Sequence, residues 1–380
     1  MTDITLYGRE NLHQLTVPDN YDAVYAYDYL SPMITDGVDK YISNIRTELK
    51  ILKIDDILLP VNINEKEYSN SYTSSVYSHY VSYAAEELRE LKNPFLEGLL
   101  RIILGVLGMW CRFCETDKTV YVNNWFLSTN LYPELTEEQY GRITEFLKKE
   151  YPHHAIVFRS LNDRQHEREL GLLRRTGYRL LGSRQVYVFD KGKRQRLTGK
   201  RKNKLEKDIR LLQRNNYVLK DLDADEALRA KKLYDMLYLE KYSLLNPQFT
   251  AEFYRLCISK KLLNFRTFRT GDEIMAVLGY YTRNGTMTTP IFGYATDSSE
   301  DKGLYRMMSA RLVLEAENNG CVLNNSSGAS KFKMWRGAEP SVEYSALYHA
   351  HLSPRRRAGY LLLEFIVNGI AVRLIKHYGL

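Results

Sequence analysis

Cysteine is scarce in this sequence. Four in 380 residues are too few for a disulfide framework, which excludes the small cross-linked secreted scaffolds and fits a reducing compartment. Cys111 and Cys114 make a CxxC pair, but Cys257 and Cys321 stand alone and complete no four-thiolate zinc site, so buried structural thiols and no metal are expected. A secretory start is missing too: MTDITLYGRENLHQL has no basic opening, no apolar core and no small-residue cleavage site. The longest apolar runs, Ile102 to Trp110 and Tyr360 to Val367, reach about half the length needed to cross a bilayer. The sequence therefore predicts no transmembrane helix and a cytoplasmic protein.

What is abundant is tyrosine, 30 residues, in a chain otherwise of ordinary globular composition with 44% hydrophobic and 26% charged residues. Tyrosine packs and still offers a hydroxyl, so amphipathic surfaces or clefts are expected. Length points to two domains. The net charge of +8 has one source: Lys191 to Arg214 holds eleven Lys and Arg against Glu206 and Asp208, a net +9, and the rest of the chain nets −1.

That segment, KGKRQRLTGKRKNKLEKDIRLLQR, separates two halves with the same order of elements. In the first, a helical pattern over Thr136 to Lys149 leads to an apolar strand from Ala155 to Phe158. A helix from His166 to Thr176 follows, stopped by Gly177, and then an alternating strand from Arg184 to Phe189. In the second, a helix over Tyr305 to Asn318 leads to Cys321 to Leu323. A helical turn around Lys331 to Trp335 is stopped by Gly337, and a strand runs from Val342 to Tyr348. The two glycine stops lie 160 residues apart, the size of a domain. Strand-like runs at Asn264 to Arg269, Ile274 to Thr282 and Met287 to Tyr294, turned by Gly271-Asp272 and Asn284-Gly285, form a meander ahead of the second helix pair. The predicted fold class is α/β (α+β), a duplicated unit of mixed, mostly antiparallel sheet flanked by helices. Domains are expected over 1–190, 191–352 and, as a C-terminal amphipathic helix, 353–380. Residues 1–20 read as an irregular arm. The helix from Tyr360 to Ile375, preceded by Arg355, Arg356 and Arg357, reads as packed on the second domain, with peripheral membrane or partner contact as the alternative.

The run GYATDSSEDKGLYRMMSARLVLEAENNGCVLNNSSGASKFKMWRGAEPSVEYSALY resembles the C-terminal module of the Fem-like branch of the GNAT acyltransferase superfamily, with Phe332, Lys333, Gly337 and Tyr344 on its FKxxxG turn and tyrosine-bearing strand. TGKRKNKLEKDIRLLQRNNY is similar to that module's basic first helix. The resemblance covers about 190 to 352; the first half matches only as a degenerate copy, and no segment has the heptad length of the helical arm of Fem ligases. It implies tandem GNAT-like domains with the chemistry in the second, and transfer of an acyl or aminoacyl group to an amine without a bound cofactor.

In such a sheet two strands splay and the acyl donor lies in the wedge, so residues at the strand ends line the site. Small side chains at Ser326, Ser327 and Gly328 allow close approach and leave amide N–H groups for a carbonyl or anion. Lys331, Lys333 and Arg336 bring positive charge to a developing oxyanion, with Tyr305 alongside as a substrate contact. Amine acylation also needs a base and a proton donor to the leaving group. Glu343, Tyr344, Tyr294 and His349 are the candidates, and Glu343 and Tyr344 must face opposite ways on a strand. Which is the base stays open. Where CoA-using GNATs carry a glycine-rich pyrophosphate loop, this chain has Glu300, Asp301, Lys302, Gly303, Leu304 and Tyr305; the acids repel a pyrophosphate. A polyanionic donor, aminoacyl-tRNA or acyl carrier protein, is therefore expected to be gripped by Lys200, Arg201, Lys202 and Lys204. Acyl-CoA-dependent acylation and a non-catalytic module binding RNA or a carrier protein are the alternatives.

Overall fold

The computed structural model describes residues 4–91, 93–296 and 303–373, and in it the chain forms two compact α/β units. Unit 1 comprises Met1–Arg184, Leu245–Gln248 and Val342–Leu380; unit 2 comprises Gln185–Leu244 and Phe249–Ser341.

Strand β1 (Thr5–Tyr7), helix α1 (Tyr21–Asp36), β2 (Glu48–Ile54) and β3 (Ile57–Asn64) open the chain. A π-helical turn, Ser78–Tyr83, and α2 (Ala84–Glu87) lead to α3 (Pro94–Phe113) and β4 (Thr119–Val122). Next come α4 (Glu137–Glu150), β5 (Ala155–Asn162), α5 (Glu167–Arg175) and β6 (Arg179–Phe189). The second half runs α6 (Lys193–Arg196), α7 (Gly199–Arg214), β7 (Val218–Lys220), α8 (Ala227–Asp235), α9 (Ala251–Ser259), β8 (Asn264–Thr270), β9 (Glu273–Arg283) and β10 (Thr286–Tyr294). It continues with α10 (Leu304–Asn318), β11 (Val322–Asn324), α11 (Ser330–Met334), β12 (Glu339–Tyr348) and α12 (Pro354–Ile366).

The repeat is real at the level of pairing. β2, β3 and β4 form an antiparallel meander, α4 crosses over, and β5 returns parallel to β4. β8, β9 and β10 form the same meander, α10 crosses over, and β11 returns parallel to β10. Both glycine stops hold left-handed backbone, Gly177 at φ 90° and Gly337 at φ 99°, conformations that a β-carbon penalises. The last strand of each repeat, however, passes into the other unit, β6 from Gln185 on and β12 from Val342 on. β12 pairs antiparallel with β5 in unit 1 (Glu343 opposite Asn162, Tyr348 opposite Ile156). In unit 2, β6 pairs antiparallel with β11, Leu323 opposite Phe189.

Each repeat has its own core. In unit 1, α4 and α5 cover one face through Tyr140, Ile143, Leu147, Leu170 and Leu173. A capping box between Thr136 and Gln139 starts α4. The other face packs against Leu107, Cys111, Tyr360, Leu363 and Val367 from α3 and the C-terminal helix. In unit 2, α7 and α10 bury Leu205, Ile209, Met307, Met308 and Leu312.

Two expectations are corrected. The N-terminal arm contributes strand β1, paired to β2. The C-terminal helix packs on unit 1, against Tyr121 and Val157, because its buried Tyr360 and Leu363 face that core. One described helix, α3, is long and apolar enough to cross a membrane. Asn93 caps it, accepting from the Leu96 N–H at 3.2 Å, and Pro94 fills its first turn, so 20 residues propagate as one helix through three glycines. Its inner face is core. Its outer face leaves Phe95, Leu99, Ile102, Val106, Met109 and Phe113 exposed at alternating four- and three-residue spacing.

Candidate functional site

The fork that the GNAT layout calls for is present in unit 2. β10 and β11 pair only over Thr286–Thr288 and Val322–Asn324, after which β10 runs on to Tyr294 paired with β9 but no longer with β11. The Thr288 hydroxyl donates to the Asn324 carbonyl at 3.2 Å and closes the base of the fork. Beyond it the chain stays with β6: the Asn325 N–H donates to the Tyr187 carbonyl (2.9 Å) and the Tyr187 N–H to the Ser326 carbonyl (3.1 Å).

Residues 325–329 then turn sharply, with positive φ at Ser326 (55°), Gly328 (79°) and Ala329 (49°). Two of these carry a β-carbon, a strain that surrounding contacts must hold. Lys333 supplies the hold. From the single turn of α11 its Nζ donates to the carbonyls of Asn325 and Ser327, each at 2.7 Å, and lies 3.4 Å from that of Ser326, with the Tyr187 ring 5.5 Å away. Since a peptide carbonyl and the following N–H point opposite ways, the amides of Ser326, Ser327 and Gly328 turn away from the ammonium. Ser326 N–H is taken by Asn324 Oδ1 at 2.9 Å.

The lysine, placed by sequence as free charge for an oxyanion, therefore also braces the loop. Lys333→Ala is expected to lower stability by about 1.5–3 kcal/mol, the value of a hydrogen-bonded charge. Urea denaturation checks this, and a midpoint within error of wild type would remove the brace.

Arg336 is held from two sides. It stacks 3.4 Å from the Phe332 ring centre, donates to the Phe332 carbonyl at 3.1 Å, and pairs with the carboxylate of buried Asp208, which also takes Arg306 at 2.6 Å. Tyr305 meets Phe332 edge-on at 4.7 Å, with Phe292 and Tyr294 at 5.4 and 6.3 Å, and burial pushes its phenol pKa well up. A cavity of about 30 Å³ lies among Lys333, Asn325, Phe332, Arg336 and Ser309. Lys331 is exposed. Lys200, Arg201 and Lys202 are exposed along the first turn of α7, and Lys204 lies 3.6 Å over the Trp335 ring. Elsewhere in the basic segment, Lys193 pairs with Glu339, and Arg194 with Glu206 and Glu317. Glu300, Asp301 and Lys302 lie outside the described residues.

Glu343 and Tyr344 belong to unit 1 and face opposite ways, as a strand requires. Tyr344 packs beside the α4–α5 core, near Tyr348. Glu343 is buried on the other face against Arg184, Nε to Oε1 at 2.9 Å. Arg184 further donates to the Ser128 carbonyl, Thr129 Oγ1 (3.3 Å) and the Tyr72 hydroxyl (3.3 Å). His349 is buried, its ring stacked 5.2 Å from Tyr360.

Unit 1 has a fork at the corresponding parallel pair, with the roles of the strands reversed: β4 ends at Val122 and β5 continues to Asn162. There Arg159 stitches the gap, donating to Asn124 Oδ1 (3.2 Å), the Leu127 carbonyl (2.9 Å) and the Ser128 carbonyl (3.4 Å). Beside it lies a cluster that sequence reasoning missed: His79 in the π-helical turn, its Nε2 2.9 Å from Ser183 Oγ, with Tyr72 and Arg184. The available signal was the tyrosine- and serine-dense run SNSYTSSVYSHYVSY ahead of α2.

Burial lowers the pKa of His79 to about 3, with help from Arg159 and Arg184, and burial lowers those of His166 and His349 to about 4. The folded state thus binds fewer protons than the unfolded chain below pH 6.5. The stability these neutral rings retain above that pH is lost as pH falls from 6.5 towards 4, at up to about 1.4 kcal/mol per pH unit for each. Urea midpoints at pH 7.5 and 5.0 measure it, and His166→Gln should flatten the slope.

No family model matches the chain, and no curated protein does. Among solved structures, it is similar to a conserved protein of unknown function from Bacteroides thetaiotaomicron, at 10% identity over 92% of this chain and 100% of that one, with a TM-score of 0.50. It is also similar to L-PGS from Bacillus licheniformis (15% identity, 66% and 83% of the two chains, TM-score 0.45) and to FemX (8%, 65% and 83%, 0.45). At 10% identity the first of these likenesses is one of fold alone.

Proposed function

We propose that the protein is an acyltransferase that joins an acyl or aminoacyl group to an amine, with its reaction centre in the fork of unit 2. The observation that carries this reading is the separation of β10 from β11 after Thr288 and Asn324, with the strained, lysine-braced loop 325–329 at its mouth. An acyl carbonyl in the fork meets the amides of Ser327 and Gly328, which face away from Lys333, and Tyr294 is the proton donor to the leaving group. In unit 1, Arg159 occupies the corresponding gap, so the reaction is assigned to unit 2. The donor is an aminoacyl-tRNA or a loaded carrier protein, both cytoplasmic, drawn to the exposed cations of α7.

The test is a parallel donor screen read by intact mass, with a pool of amines offered against acyl-CoAs, loaded carrier protein and charged tRNA. Mass transfer from a polyanionic donor supports the reading. Transfer from an acyl-CoA alone keeps the enzyme class and replaces the donor. Binding of RNA or carrier protein without transfer from any donor makes the chain a non-catalytic module.

A further inference from the structure

Unit 1 encloses a second, larger cavity, of about 110 Å³, that the reaction above does not use. Its walls are of two kinds. Leu88, Leu91, Leu104 and Leu107, from the turn after α2 and from the inner face of α3, close it on one side, and Ile366 and Val367 at the end of α12 close it on another. At the remaining side stand Arg184, Ser183, His79 and Tyr72. An apolar chamber with one polar, cationic side suits a molecule with the same two halves.

The charge around that side is unbalanced. Arg184 has Glu343 as its carboxylate. Arg159, only 4% exposed, donates to Asn124 Oδ1 and two backbone carbonyls, and among the described residues no carboxylate comes within ion-pair distance of it. Both guanidinium carbons lie 6.0 Å from the ring centre of Tyr72, a cavity wall. A buried cation held only by neutral partners is costly, and an anion at the cavity's polar side offsets that cost. His79, kept neutral by burial and by both arginines, adds no charge and offers a ring nitrogen shared with Ser183. Among the described residues that line the cavity, Glu87 is the only carboxylate.

We propose that unit 1 binds a small anionic amphiphile, an aliphatic chain ending in a carboxylate or phosphate, with the chain between Leu104, Leu107 and Val367 and the head against Arg184, Ser183 and His79. The volume admits a short aliphatic segment rather than a whole lipid tail, so a longer chain leaves along the apolar outer surface of α3. The site is separate from the fork in unit 2, and its test does not depend on turnover.

The experiment titrates the full chain with decanoate, decyl phosphate and decyltrimethylammonium below their micelle concentrations, and with decanol below its solubility limit, by calorimetry and by thermal shift. One-site, saturable binding of the two anions is expected, about tenfold or more tighter than the ammonium. Leu104→Trp and Val367→Phe, which fill the chamber from two different helices, should each weaken it by about tenfold or more. Glu87→Gln should leave it unchanged or tighter. The wild-type thermal shift keeps the test open if a filling variant does not fold. Equal binding of anion and cation, or anion binding untouched by a folded filling variant, overturns the proposal. A final arm separates free amphiphile from bilayer lipid: co-sedimentation with phosphatidylglycerol vesicles, with and without decanoate. Decanoate binding supports the site, and its competition with vesicles makes a membrane lipid the source. Vesicle binding without decanoate binding overturns the cavity and assigns the contact to the exposed face of α3.

Discussion

Glu343→Ala will lower the unfolding free energy by about 3–5 kcal/mol, the cost of leaving one half of a buried ion pair alone. The glutamate side chain is 1% exposed and that of Arg184 9%, so neither charge recovers solvation when the other is removed. Arg184 also donates to the Ser128 carbonyl, Thr129 Oγ1 and the Tyr72 hydroxyl, which are neutral, and Arg159 is already a second buried cation nearby. The double change Arg184→Met with Glu343→Leu should recover most of the loss, because a buried pair replaced as a whole by apolar groups is often neutral or better. Urea denaturation with matched slopes measures both variants. Stability and turnover of the alanine variant, measured together, decide what Glu343 does. A base for the amine proton would show unchanged stability and lost turnover in the alanine variant; a carboxylate that neutralises Arg184 shows the reverse order of effects.

The contrast between Glu343 and Lys333 shows where sequence reasoning was strong and where it stopped. The periodicity of Thr136 to Lys149 and of Tyr305 to Asn318, and the glycines at 177 and 337, were enough to place α4, α10 and both helix stops within a residue or two. These are local signals, set by the helical repeat and by φ at one residue. The alternation of Glu343 and Tyr344 was legible for the same reason. Their surroundings were not. Arg184 and Glu343 are 159 residues apart and meet only because β12 enters unit 1 beside β5. An exchange of final strands between two repeats leaves no mark on the hydrophobic pattern of either strand. Likewise Arg336 reads as free positive charge until Asp208 is seen below it, and Asp208 reads in the sequence as one of two acids in a basic segment rather than as a buried anchor. The continuity of α3 was hidden by Gly98, Gly105 and Gly108, which split one long helix into shorter apolar runs when the sequence is scanned alone.

Reversing Lys200, Arg201, Lys202 and Lys204 to glutamate is expected to weaken donor binding by several kcal/mol and to flatten its dependence on salt, if the donor is a nucleic acid. The four residues lie on the first turns of α7, three of them exposed and the fourth against the Trp335 ring, and none is a partner in an ion pair among the described residues. Little folding energy is at stake there: the helix is anchored by Leu205, Asp208 and Ile209, which the substitutions leave alone. Each cation that meets a phosphate releases a condensed counterion, so losing four contacts should make the slope of log affinity against log salt shallower by about 3. A carrier protein presents fewer and more widely spaced charges, and the same variant would then lose affinity with a smaller change of slope. An acyl-CoA would feel neither effect strongly, since it brings only a few phosphates. Rates and affinities for wild type and the quadruple variant at low and high salt separate these donors. A flat salt response, together with a variant as active as wild type, would reduce α7 to a solvated helix face and move the donor site to the fork alone.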